Sequence, residues 1–150
     1  MSLYSLALFL HIVGALALFA LLTIEGVSLL QGTRPPRISR VLGPISALLV
    51  LVPGLYMSAT SWGWQGWILV GLVSWLLIAA GGAFTGMRLM RGLLDRQTAT
   101  VSWLVRIGVA LGVVFVMTVK PIAVVAVAAV VIGALAGGVV SRLTGQVRPV

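Results

Sequence analysis

Apolar residues fill this chain in five long stretches, separated by short segments rich in Gly, Pro, Arg, Ser and Trp. The stretches lie at roughly 3–30, 42–60, 67–90, 101–119 and 122–140, each near the ~20 residues that a helix needs to cross a bilayer. In water the Val/Ala run from Val124 to Val131 would favour a strand. In lipid an open strand leaves backbone groups unpaired, so helix is expected there too.

The breaks have their own chemistry. Gly32, Pro35 and Pro36 end the first stretch. Pro44 falls in the first turn of the second, where a missing N–H costs little, whereas Pro53 lies inside it and should kink it. Trp62 and Trp64, with Tyr56 before and Trp67 after, form an aromatic belt of the kind found at a membrane surface. Residues 91–100 read as a polar loop around Asp95 and Arg96. The 40 residues from Val101 to Val140 are too long for one crossing, and Lys120-Pro121 at their middle supplies a charge and a helix breaker. Two crossings joined by a tight turn fit better than one re-entrant segment. The expectation is a single all-α transmembrane domain over 1–150, a polytopic helical bundle of five transmembrane helices.

Charge then orients the bundle. Nine arginines (Arg34, Arg37, Arg40, Arg88, Arg91, Arg96, Arg106, Arg142 and Arg148) fall at alternate ends of the stretches, on one side, and Lys120 alone falls on the other. Short cytoplasmic loops collect Lys and Arg, which predicts an N-out, C-in protein of the bacterial inner membrane. Arg106, one turn inside the cytoplasmic end of the fourth span, is expected to snorkel outward on its long stem. With 61% hydrophobic residues, 8% charged ones and a mean hydropathy of +1.21, the chain could not keep a surface in water. The net charge of +8 is explained by anionic headgroups beside the loops, so no nucleic-acid partner is expected. Without cysteine the chain has no disulfide, thiolate metal site or Cys nucleophile. Met1–Leu22 lacks the basic region of a signal peptide and reads as a retained first helix.

Small residues four apart recur as Gly82/Gly86, Gly108/Gly112 and Gly133/Gly137, spacings that let helix backbones approach. They serve packing inside the bundle or a homodimer seam. Ionisable residues inside lipid are costly and often functional. His11 and Glu25 are 14 residues apart in the first span, about 21 Å along a helix, and share a face with Gly14, Ala15, Leu18 and Leu22 between them. Glu25 is a candidate for a buried ion pair with Arg106 or Arg88, or for a proton site. His11 either satisfies a hydrogen bond or acts as a ligand, and Met57 and Met117 are expected at its depth; such a His/Met set suits copper or haem iron. Lys120 either ends the fourth span at the headgroups or binds an anionic group. With Glu25 and Asp95 as the only acids, no paired-carboxylate chemistry is available, and no Ser/His/Asp set, phosphate loop or dinucleotide fingerprint is present.

Leu10-His11-Ile12-Val13-Gly14, Gly54-Leu55-Tyr56, Gly86-Met87-Arg88 and Met117-Thr118-Val119-Lys120-Pro121 together resemble a group of small, mostly uncharacterised bacterial membrane proteins related to the copper-resistance D protein. The resemblance spans most of the chain and implies a helical bundle with an outer-side His/Met/Lys cluster touching copper or haem. A membrane-type protoporphyrinogen oxidase is similar in general plan, with an early histidine matched by His11. Its later lysine is not matched, because Lys120 falls in a different span at an outer turn.

The leading expectation is a non-enzymatic subunit or accessory of a membrane complex, surrounded by lipid and joined to copies of itself or to other subunits. Copper or haem handling at the outer face through His11, Met57 and Met117, with Lys120 beside them, is the first alternative. Proton-coupled transport of a small solute through Glu25 is the second.

Overall fold

A computed structural model describes residues 2–33 and 36–146, the last three as backbone. Arg34, Pro35 and Arg148, which contribute to the expected loop and charge pattern, lie outside the described residues. Five α-helices and no strand are present among the described residues: α1 (Leu3–Gln31), α2 (Ser39–Met57), α3 (Gly66–Met90), α4 (Arg96–Val119) and α5 (Ala123–Gln146), with a π-helical turn, Ser58–Trp62, extending α2. Each helix is long and apolar enough to cross a membrane. Large apolar side chains such as Phe9, Leu48, Leu76, Leu111 and Leu135 stand exposed along all five. Such surfaces suit lipid and not water, so this is a small multi-pass integral membrane protein.

The helix ends differ from the sequence reading where capping decides. Residues 96–100 were expected in a loop, but α4 begins at Arg96 because the Asp95 carboxylate accepts from the Thr98 N–H at 2.8 Å and the Thr98 hydroxyl at 2.7 Å. After Met57 the helical path runs on as a π turn to Trp62, and Gly63, at φ +68°, ends it. The fifth span outlasts its apolar residues: α5 continues to Gln146, since nothing after Val140 breaks it. The Lys120-Pro121 turn is as tight as expected, three residues between α4 and α5.

The chain divides into two compact units, Met1–Gln65 and Gly66–Val150. In the first, α1 and α2 form an antiparallel hairpin. A Cβ on Gly14 would come within 2.7 Å of the Leu49 carbonyl carbon and 2.8 Å of the Val50 nitrogen, so the two backbones nearly touch there. Tyr4 and Trp62 close one end, the indole Nε1–H donating to the phenol oxygen at 3.1 Å.

In the second unit, α4 packs between α3 and α5. A Cβ on Gly108 would overlap the Gly133 carbonyl, one on Gly137 would overlap the Leu104 carbonyl, and one on Gly112 would come within 2.8 Å of the Val130 Cα. These contacts step in opposite directions along α4 and α5, an antiparallel register with the backbones in contact. Such closeness permits Cα–H···O contacts and dense dispersion, the forces that hold helices together where lipid removes the hydrophobic drive. The glycine pairs of α4 and α5 therefore face each other inside this unit. The third pair behaves differently: Gly82 faces the Arg106 side chain, and nothing lies within 4 Å of a Cβ at Gly86. Trp67, Ile68, Val116 and Ala126 form the unit's buried core, with Met117, Ala129 and Val130 packed on it.

Candidate functional site

His11 lies half-buried in the α1–α2 seam. Its Nδ1 is 2.7 Å from the Val50 carbonyl oxygen. A carbonyl only accepts, so the proton sits on Nδ1, and in the neutral ring the Nε2 lone pair is then available. Two features of α2 make the place for it. Gly54 has no side chain, and a Cβ there would lie 3.2 Å from the imidazole Cε1 and Nδ1. Pro53 has no N–H to give to the carbonyl one turn earlier, which loosens the ladder beside Val50. Val50, Pro53, Gly54 and Met57 share a helix face by spacing, and Met57 is buried. The hydrogen-bonding expectation for His11 thus has a named partner, which the spacing of polar residues along the chain could not supply, because the acceptor is backbone.

Met117 is in the other unit. Its methyl group occupies the space that a Cβ on Gly71 would need, so it plugs α4 into α3 beside the core. His11 and Met57 are brought into one hairpin; Met117 is held by packing of its own. Among the described residues, no group of three or more His, Cys, Asp or Glu side chains gathers at a metal-ligating distance.

Arg106 is only 6% exposed. It was expected to snorkel to the headgroups, but its stem lies across Gly81 and its guanidinium Nη1 is 3.0 Å from where a Cβ of Gly82 would stand. The double glycine opens a trough in α3 just wide enough for an arginine. One turn toward the basic end, Thr85 and Ser102 share a hydrogen bond at 2.8 Å, which adds a polar contact between α3 and α4. Arg88 is exposed, with its guanidinium carbon 4.6 Å from the centroid of the Phe84 ring one turn earlier. Glu25 is half-buried on α1, in the first unit, whereas Arg88 and Arg106 belong to the second.

Lys120 is the only non-glycine residue with positive φ among the described residues, at φ +53° and ψ +52°. That conformation costs about 1–2 kcal/mol for a residue with a Cβ. It caps α4, its N–H donating to the Val116 carbonyl at 2.9 Å, and its ammonium lies 5.9 Å from the centroid of the Trp67 ring. Gly66, with Ala123 at 2.7 Å from its notional Cβ, brings the start of α3 against the start of α5 beside this turn. The sequence marked Lys120 as a helix end; the strained cap and the indole contact arise only in the fold.

No protein-family model, no curated protein and no solved structure matches the chain.

Proposed function

We propose that this protein is a non-enzymatic subunit or accessory of a membrane complex, set in the inner membrane with its N-terminus outside and its C-terminus inside. What supports this reading is how the residues singled out for chemistry are used. The His11 imidazole bonds to the backbone of α2, the Arg106 side chain fills a glycine trough, the Lys120 backbone N–H caps α4 while its ammonium faces the Trp67 ring, and Met117 plugs a hole in α3. Each holds helices in place, and the wide apolar faces left over suit lipid and neighbouring subunits. Extraction from native membranes in a mild detergent, followed by native gel separation, is the test. The chain should migrate in a larger assembly whose size survives dilution. A lone monomer would overturn the reading. The orientation has a separate test, a cysteine at Lys120 that labels from outside and one at Gly92 that does not; labelling of both from one side would refute it.

A second reading has one observation in its favour. An imidazole whose Nδ1–H is held by a carbonyl presents Nε2 in the form that metal-ligating histidines take. Copper or haem iron would then bind at His11 with Met57 beside it, in line with the resemblance to copper-resistance D relatives. An optical spectrum and elemental analysis of the purified protein decide it. A Soret band or stoichiometric copper lost in His11→Ala supports a ligand role, and a colourless, metal-free protein leaves His11 as a packing residue.

A further inference from the structure

Phe84 and Arg88 lie four residues apart on the last turns of α3, and Arg91, three further on, is the first residue past the helix, its N–H still donating to the Met87 carbonyl at 3.2 Å, so the three continue a single stripe. All three are exposed, and Leu77, two turns before Phe84, continues the stripe as exposed apolar surface. The stripe is apolar along its membrane-spanning part and doubly cationic at its end. The Arg88 guanidinium does not swing free; it rests on the Phe84 ring, so its position relative to Arg91 is restricted.

The surroundings add to the field. Gly82 against Arg106 and Thr85 against Ser102 set α3 antiparallel to α4, and the glycine contacts set α4 antiparallel to α5. By that register Arg96, at the start of α4, and Arg142, on the last turns of α5, stand at the same end of the unit as Arg88 and Arg91. The one acid at this end, Asp95, has its carboxylate engaged by Thr98.

We propose that this stripe binds an anionic phospholipid, with the headgroup phosphate held by Arg88 and Arg91 and an acyl chain lying along Phe84 and Leu77. The surface is made for an amphiphile. A phosphate alone would use the two arginines and leave the aromatic and aliphatic stripe idle, whereas a phospholipid fills both parts at once. Arginine suits the task because its planar fork takes two phosphate oxygens together. The proposal does not depend on whether the chain joins a larger complex.

Native mass spectrometry of the full chain, released from detergent with equal amounts of phosphatidylglycerol and phosphatidylcholine, provides the test. The parent should retain phosphatidylglycerol preferentially. Arg88→Gln and Arg91→Gln should each weaken it by roughly fivefold, the usual contribution of one basic residue at a charged membrane surface. Arg88→Lys should keep only part of the preference, since it keeps the charge and loses the fork. Arg142→Gln, at the same end on another helix, should weaken retention by clearly less. Equal retention in the parent and in the Arg88→Gln/Arg91→Gln double variant would overturn the site. So would an equal loss in Arg142→Gln, which would mean a diffuse basic surface. Displacement of the lipid by the same concentration of inorganic phosphate would overturn the claim that the acyl chain matters. All these side chains are exposed, and unchanged helical circular dichroism confirms that each variant folds.

Discussion

The two units hold their helices together by different means. In Gly66–Val150, α4 and α5 meet backbone to backbone through Gly108, Gly112, Gly133 and Gly137. In Met1–Gln65, Gly14 brings α1 onto the α2 backbone, Gly54 makes room for His11, and the seam includes the His11–Val50 and Tyr4–Trp62 hydrogen bonds. The first arrangement depends on shape and tolerates no added atom. The second depends partly on bonds that average only about 0.6 kcal/mol each inside a membrane. The units should therefore respond differently to the same kinds of substitution.

The largest effect is expected from Gly108→Val. Its side chain would have to enter the space of the Gly133 carbonyl, with no flexible group able to yield. Overpacking of this kind costs about 3 kcal/mol or more, and here the backbones would be forced apart along the whole pair. Reversible unfolding in mixed micelles should show the loss, with Gly138→Ala, whose Cβ would meet nothing within 4 Å, as the control. A Gly108→Val protein as stable as the control would mean that α4 and α5 are not in backbone contact.

Gly14→Ala sharpens the comparison. Its Cβ would press on the Leu49 and Val50 backbone at 2.7–2.8 Å. The cost should be about 1–3 kcal/mol, less than at Gly108, because this Cβ would press on its neighbours where a side chain at Gly108 would overlap the Gly133 carbonyl outright. His11→Leu, which keeps a bulky side chain and loses the bond to Val50, should cost less again, about 0.6 kcal/mol. If His11→Leu proved as damaging as Gly108→Val, the hydrogen bond would be the main tie of the hairpin and the contrast between the units would fail.

The glycine spacing was legible in the sequence, but its use was not uniform. Gly108/Gly112 and Gly133/Gly137 looked the same as Gly82/Gly86, yet only the first two pairs meet a helix backbone. Spacing gives a face; it does not say whether the neighbour brings backbone, an arginine or nothing. The five spans could be read because lipid forces helix on any long apolar run. The start of α4 could not, since hydropathy is blind to a cap and Asp95 has none of the apolar character used to find spans. The candidate site divides in the same way. His11, Arg106 and Lys120 stood out as rare polar residues, while the Val50 carbonyl that His11 meets and the glycines that Arg106 lies across carry no chemical signal along the chain. The Arg88–Phe84 contact could have been noticed from its spacing of four.

Asp95 offers the smallest and most specific test. The Thr98 backbone N–H, and then the Thr98 hydroxyl, hold its carboxyl below the usual value of 3.8 in the folded protein. A group whose folded pKa is depressed adds stability that is complete above its unfolded pKa and disappears as pH falls through the folded one. The parent should therefore lose a little stability only below about pH 4, and a variant without the carboxylate should not share that step. Asp95→Asn, still able to cap, should be close to the parent at neutral pH and flat in acid, whereas Asp95→Ala should be weaker at neutral pH and equally flat. Amide exchange at Thr98 and Ala99, followed from pH 7 to pH 3, resolves the first turn of α4 from the rest. An acid step that persists in Asp95→Asn would assign it to another group, and the cap would then not be what starts α4 at Arg96.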